Sequence, residues 1–128
     1  MIWATIKHFK PSEFDSPDAP GSGVLMNIAF VAKLDKLREM FGAPIIIRSG
    51  YRTAKHNAIV GGVDSSAHTG GHAADIAAVS SRTRFKLVDF AMTIGFRRIG
   101  IGTSFLHLDD SPDHDQDVIW LYQASRGK

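Results

Sequence analysis

The most constraining feature of the sequence is an aspartate, Asp75, in a run of small and apolar residues at positions 72–78. This run follows Gly70 and Gly71 and is typical of a buried β-strand, in which Ala73 and Asp75 would share one face. An ionised carboxylate is costly to bury alone, so Asp75 needs a cation or several hydrogen-bond donors beside it. The fold must therefore bring such partners to this strand.

A second segment, at positions 105–109, supplies suitable partners. Alternation places His107 and Asp109 on one side of a strand and two leucines on the other. Together with His68, from the loop before the first strand, and Asp75, His107 completes a set of two imidazoles and a carboxylate. Such a set can hold zinc and leave a coordination position open for catalysis. A metal-free, hydrogen-bonded polar cluster would also satisfy Asp75, and spacing alone leaves both interpretations open.

The local motifs resemble those of the zinc DD-peptidase superfamily. The pattern S-x-H-x-x-G-x-A-x-D is matched by Ser66, His68, Gly71, Ala73 and Asp75. The segments 49–52 and 57–62 also match the SGYR…N…GG pattern of its short carboxypeptidase-like branch. The superfamily contains D-Ala-D-Ala carboxypeptidases and phage L-alanyl-D-glutamate endolysins, and it shares a fold with the Hedgehog signalling domain. The resemblance runs from about Phe9 to Trp120, which is nearly the whole chain.

The resemblance implies a role for each matching residue. His68, Asp75 and His107 would bind Zn²⁺. Arg52 would lie beside the metal, where its paired donors could polarise the scissile carbonyl or hold a substrate carboxylate. Three further residues are expected to contact substrate or to orient the groups of the site: Ser66, Tyr51 and Ser104.

The general base is where this chain departs from the best-studied members. Those enzymes carry Glu or Asp three positions before the last zinc histidine, and here that position is Ser104. A serine cannot act as that base near neutral pH. Asp109, two residues after His107, is the nearest substitute, so the expected catalytic residues are Arg52 and Asp109. Asp109 would act either as the base or as a group that orients a histidine.

Length and composition predict a single globular domain over residues 1–128, and the elements readable from the sequence agree with an α+β fold. The resemblance implies that this is a zinc DD-peptidase-like domain with its core at about 9–122. The resemblance adds a small antiparallel sheet with helices packed on one face, as in the Hedgehog and DD-peptidase folds. Phe9 and Phe14 are expected to anchor the N-terminal segment to the core. The predicted elements are helices at 24–41 and from Ser80 or Ser81 to Ile94, strands at 45–47 and 118–122, and a hairpin of 97–101 with 105–109.

Composition excludes several other classes of protein. The chain has no cysteine, which rules out disulfides and cysteine-ligated zinc. Its formal net charge is only +2 and no basic cluster is interleaved with aromatic residues, so no nucleic-acid partner is expected. No segment reaches the length of a membrane span, so no membrane insertion is expected. We expect a monomer, synthesised in the cytoplasm without a signal peptide, that reaches the cell wall through a holin or within a virion.

Three functions remain compatible with the sequence. The first is a zinc metallopeptidase, a murein carboxypeptidase or endopeptidase of the phage endolysin or virion-associated type, that hydrolyses an amide bond in the peptidoglycan stem peptide. The second is a non-catalytic module of the same fold that holds zinc for binding or structure. The third is a scaffold protein in which the two histidines and Asp75 form a buried cluster without metal.

Overall fold

A computed structural model describes residues 2–63 and 66–122. Three short 3-10 turns, at Ile2–Thr5, Pro11–Phe14 and Ser22–Leu25, precede the regular elements. The helices are α1 (Ile28–Phe41), α2 (Ala54–Ile59) and α3 (Ser81–Ile94), and the strands are β1 (Ile47–Ser49), β2 (Ala73–Ala77), β3 (Arg98–Ile101), β4 (Phe105–Asp109) and β5 (Val118–Leu121). No helix in this part of the chain is long and apolar enough to cross a membrane.

The five strands form one sheet in the order β1-β2-β4-β3-β5. The α+β prediction is confirmed, and the first four strands are antiparallel as expected. The fifth differs, because β5 pairs with β3 in parallel. The chain leaves β4 at Asp109, which lies opposite Arg98 at the start of β3. The backbone N–H groups of Asp117 and Val118 then donate to the carbonyl of Arg97, so the returning chain meets β3 at its first residue and must run in the same direction.

One face of the sheet packs against α1 and α3, and the other carries the polar residues of β2 and β4. The core includes Phe30, Leu34 and Leu37 of α1, Leu87 and Ala91 of α3, and Ala74, Ile76, Leu106 and Leu108 of the sheet. The alternation predicted for β2 and β4 therefore has the correct phase. Burial of these apolar side chains is the main stabilising contribution to a domain of this kind.

The helix boundaries follow the capping residues. The N-terminal cap of α3 is Ser80, whose hydroxyl accepts from the backbone N–H of Thr83 at 3.1 Å, as predicted. In contrast, α1 begins four residues later than predicted, because Asn27 caps it by accepting from the N–H of Phe30 at 3.0 Å. The apolar residues Val24 and Leu25 lie before this cap in a 3-10 turn and are exposed.

The prediction of a buried strand at 45–47 was wrong in its boundaries. The strand begins only at Ile47, and Ile46 is 65% exposed. β1 is an edge strand that pairs with β2 alone, and its register shifts between Ile47 and Ser49. A β-branched run at an edge therefore buries only part of its side chains, here Ile45 and partly Ile47.

The Pro11–Phe14 turn packs against the loop that follows β1. Phe9 and Phe14 are both buried, with ring centroids 5.6 Å apart, which confirms their expected role as anchors. The N–H of Tyr51 donates to the carbonyl of Phe14 at 2.9 Å. A Cβ atom at Gly50 would lie 2.8 Å from the Cα of Phe14, so only glycine allows this contact.

Candidate metal centre

The two histidines and Asp75 meet on the sheet face opposite the core. Asp75 of β2 and His107 of β4 are register partners, and His68 comes from the loop before β2. His107 Nδ1 lies 3.0 Å from Asp75 Oδ1, and His68 Nε2 lies 3.3 Å from the same oxygen. The two nitrogens are 3.3 Å from each other. We call His68, Asp75 and His107 the triad; each offers one potential ligand atom, and these atoms lie within 4.8 Å of one another.

His68 is held so that its Nε2 atom faces the triad. Its Nδ1 lies 2.8 Å from the carbonyl oxygen of Gly50, which can only accept, so Nδ1 carries the hydrogen. The hydroxyl of Ser66 accepts from the N–H of His68 at 3.2 Å, and the His68 carbonyl accepts from the N–H of Arg52. Burial lowers the pKa of His68, which favours the neutral imidazole that a metal requires.

His107 is oriented by Asp109. The two are linked by a 2.5 Å contact between His107 Nε2 and Asp109 Oδ2, which directs His107 Nδ1 towards Asp75. Burial alone lowers the pKa of His107, but its hydrogen bonds to the two carboxylates outweigh burial and raise it overall. A proton and a metal ion would compete for His107, so metal binding should weaken as the pH falls.

Asp109 is fully buried, and both of its oxygens accept hydrogen bonds. Oδ1 accepts from Arg98 Nε at 2.5 Å and from the N–H of Ser111 at 3.2 Å, while Oδ2 faces His107. Burial raises the pKa of the Asp109 carboxyl, but the hydrogen bonds and charges of His107 and Arg98 bring it below its ordinary value. Asp109 is therefore a carboxylate in the folded protein, with its acceptor positions directed at groups of this chain.

The donor set fits a zinc ion. For His68 Nε2 to donate to Asp75 without metal, His68 would have to be a cation, because its Nδ1–H already donates to the carbonyl of Gly50. The burial that lowers its pKa opposes that charge. Two neutral imidazole nitrogens and one carboxylate oxygen instead form a three-residue zinc site with an open position, and each imidazole has the outer hydrogen bond that such ligands usually make.

Arg52 lies beside the triad, as expected from the sequence. Its Nη2 is 3.4 Å from Asp75 Oδ2, and its Nε donates to the hydroxyl of Ser49 at 3.1 Å. Its Nη1 donates to Asn57 Oδ1 at 3.2 Å. Asn57 is buried and also donates from Nδ2 to the carbonyl of Val63 at 2.7 Å. Asn57 therefore fixes the guanidinium, a role that its place in the N…GG segment did not reveal.

Two of the residues expected to serve the site lie elsewhere. The ring of Tyr51 packs against the hydrophobic core. The hydroxyl of Ser104, in the turn before β4, accepts from Arg48 Nη1 at 2.8 Å. None of the described contacts joins either residue to the triad.

Two aromatic side chains, Trp120 of β5 and Tyr122 directly after it, pack next to His107. The His107 and Trp120 ring centroids are 5.3 Å apart, and the guanidinium of Arg98 lies 5.0 Å from the Trp120 ring. Tyr122, directly after β5, has its ring centroid 6.3 Å from that of His107. Sequence reasoning missed Arg98 and Tyr122 as residues of the site. The predicted hairpin of 97–101 with 105–109 was a signal for Arg98, which lies opposite Asp109, whereas the position of Tyr122 depends on the parallel pairing of β5 with β3.

Comparison with known proteins agrees with this geometry. No curated protein matches the chain at a significant level. The family model described as Peptidase M15 matches residues 7–109, which include the whole triad, Arg52 and Asp109. Peptidases of this family are zinc-dependent. The chain therefore belongs to the M15 family of zinc metallopeptidases.

Proposed function

We propose that this protein hydrolyses an amide bond in the stem peptide of peptidoglycan, as a carboxypeptidase or endopeptidase of the phage endolysin or virion-associated type. The observation that carries the proposal is the triad: two imidazoles whose outer nitrogens are held, a shared carboxylate, and a guanidinium 3.4 Å from that carboxylate. Membership of the M15 family supports the peptidase activity. The resemblance to wall-degrading enzymes supports the substrate, and delivery through a holin or within a virion is part of the same proposal.

The triad and Arg52 would have separate roles in the hydrolysis. Zinc, when bound by His68, Asp75 and His107, would bring the pKa of its water to about 7 and polarise the scissile carbonyl. Arg52 donates hydrogen bonds to the carbonyl oxygen as negative charge develops there, and remains charged throughout. Because Arg52 is held by Asn57 and Ser49, little reorganisation is needed when substrate arrives.

For Asp109 we propose the orienting role rather than the general-base role. A base must have an oxygen that can take a proton from the attacking water. Both oxygens of Asp109 accept from Arg98, Ser111 and His107, and the side chain is fully buried. Carboxylates that hold a metal-binding histidine in this way raise its basicity and fix its ring.

A non-catalytic zinc module is the second candidate. Ser104 favours it, because this position carries the general base in the best-studied relatives and here its hydroxyl is bonded to Arg48. Such a protein would hold zinc through the same triad and bind stem peptide without cleaving it.

The deciding experiment is mass spectrometry of muropeptides after purified sacculi are incubated with zinc-loaded protein. The His107→Ala variant is the negative control. His8→Ala is the matched control, since His8 pairs with Glu39 at the surface and lies outside the site. New fragments with the wild type and His8→Ala, but not with His107→Ala, would support the peptidase and identify the bond. Wild-type protein that holds one zinc per chain and releases no fragment from several wall chemotypes would contradict it and favour the module.

A further inference from the structure

Tyr122 brings a hydroxyl group to the rim of the metal centre. Its ring centroid lies 6.3 Å from that of His107 and 5.1 Å from that of Phe105. Charges on Asp75 and Arg52 act on the phenol, which locates the hydroxyl within the electrostatic field of the site. Tyr122 is 39% exposed, whereas the side chain of Arg52 is only 15% exposed. A substrate that reaches the triad therefore has ready access to this phenol.

The hydroxyl of Tyr122 can serve as a donor. Its ring packs beside that of Trp120, with centroids 6.3 Å apart, and beside that of His107. A phenol O–H can donate as well as accept, and its ordinary pKa of about 10 keeps it protonated near neutral pH.

Gly100 allows both rings to lie this close to the site. It pairs with His107 across β3 and β4, and with Trp120 across β3 and β5. A Cβ atom at Gly100 would lie 2.5 Å from Tyr122 Cε2 and 2.7 Å from Trp120 Nε1. The indole nitrogen and the phenol ring are therefore packed onto the backbone of the strand that neighbours His107, which fixes their position relative to the triad.

We propose that Tyr122 is a catalytic residue whose O–H donates a hydrogen bond to the carbonyl oxygen of the scissile amide as charge develops on it. This inference rests on the proposed peptidase function. Arg52 and Tyr122 would then supply two donors to one oxygen, the arrangement by which acyl-transfer enzymes stabilise a tetrahedral transition state. No bond to Tyr122 forms or breaks, and the phenol is unchanged by the reaction.

The test compares Tyr122→Phe with wild type on the synthetic stem pentapeptide L-Ala-γ-D-Glu-L-Lys-D-Ala-D-Ala. Loss of one such donor lowers kcat by about 10²–10³-fold, and KM should change little because the bond forms mainly in the transition state. Trp120→Phe, which changes the ring packed beside Tyr122 but keeps the phenol hydroxyl, should cause a smaller loss of kcat. Leu121→Ala is the matched control, because Leu121 is the exposed neighbour of Tyr122 and should behave as wild type.

A binding measurement supplies a readout that does not depend on turnover. A phosphinate analogue of the cleaved bond carries a tetrahedral, negatively charged group, so Tyr122→Phe should weaken its binding by about the same factor as kcat. Zinc content, measured by atomic absorption, and the urea midpoint should remain those of the wild type.

Each outcome decides the inference. Equal kcat and equal phosphinate affinity in Tyr122→Phe and wild type would overturn the role of Tyr122 and leave the peptidase function standing. A Tyr122→Phe variant that loses zinc or unfolds at lower urea would show a structural role and overturn it as well. If zinc-loaded wild type cleaves no stem peptide, the proposed function itself fails and the inference fails with it.

Discussion

Replacing Asp109 by asparagine tests how the metal centre is held in place. The amide has nearly the shape of the carboxylate but only one accepting oxygen. Three donors now converge on Asp109: Arg98 Nε, the N–H of Ser111 and His107 Nε2. Whichever way the amide is turned, its NH₂ group faces Arg98 or His107. If it faces His107, the ring hydrogen must move to Nδ1, which is the atom directed at Asp75.

Asp109→Asn should lower both the metal affinity and the free energy of unfolding, and the size of each effect can be stated. A metal-binding histidine that loses its orienting carboxylate loses about 10–100-fold in metal affinity. Removing one partner of a buried ion pair destabilises by about 3–5 kcal/mol. We expect about 3 kcal/mol here, at the lower end of that range, because Arg98 keeps its hydrogen bond to the carbonyl of Asp115 and its contact with the Trp120 ring.

Zinc affinity is measured by competition with a chromophoric chelator, and stability by urea unfolding of the chelated protein. The matched control is Asp117→Asn, which removes an aspartate that pairs with an arginine, Arg97, at the surface, and it should leave both values unchanged. An Asp109→Asn variant with wild-type zinc affinity and wild-type stability but no turnover would refute the reasoning. That result would assign Asp109 as the general base.

Three further predictions concern metal, packing and pH. Chelation should lower the melting temperature of wild type but not that of a His68→Ala/His107→Ala double variant, since zinc at 1,000 times its Kd stabilises by about 4 kcal/mol; equal shifts in scanning calorimetry would argue against a metal at these residues. Asn57→Ala should lower the free energy of unfolding by about 1–3 kcal/mol, because the buried Arg52 guanidinium loses an acceptor; an unchanged urea midpoint would contradict this. The folded-state pKa of Asp109 is lower than its unfolded value of about 3.9, so its ionised form stabilises the chelated protein above about pH 4 and that contribution is lost as the pH falls. Urea midpoints should therefore fall less steeply below about pH 4 in Asp109→Asn than in wild type.

Local signals predicted much of this fold. Ser80 and Gly95 marked the ends of α3 because caps depend on residues within one turn of the helix. The start of α1 was misplaced because Val24 and Leu25 continue the helical spacing of apolar residues, although they belong to a 3-10 turn. That turn is fixed by tertiary contact: a Cβ at Gly23 would lie 1.8 Å from the carbonyl oxygen of Pro11.

The residues of the site also fall into those that local sequence signals predict and those that depend on tertiary structure. The convergence of the triad could be predicted because strand alternation fixes the faces of β2 and β4, and the motif supplied His68. Tyr122 could not, since it reaches the site through the parallel pairing of β3 with β5, for which the sequence carries no local signal. Arg98 could have been found, because the predicted hairpin of 97–101 with 105–109 places it opposite Asp109. Tyr51 belongs to the SGYR segment of the resemblance, and a motif does not by itself show which side chains contact the core, as that of Tyr51 does.

The contact of Phe14 with Gly50 connects the metal centre to a segment that contributes no ligand. The peptide that packs on Phe14 also presents the carbonyl that orients His68. Docking of the Pro11–Phe14 turn holds in place the Gly50 carbonyl that orients His68, and so favours metal binding. By thermodynamic reciprocity, metal binding then favours docking of this turn by the same factor. Zinc would then protect the Pro11–Phe14 turn from proteolysis and hydrogen exchange. A substitution that weakens the packing of Phe14 would in turn lower the metal affinity at His68, more than fifty residues further along the chain.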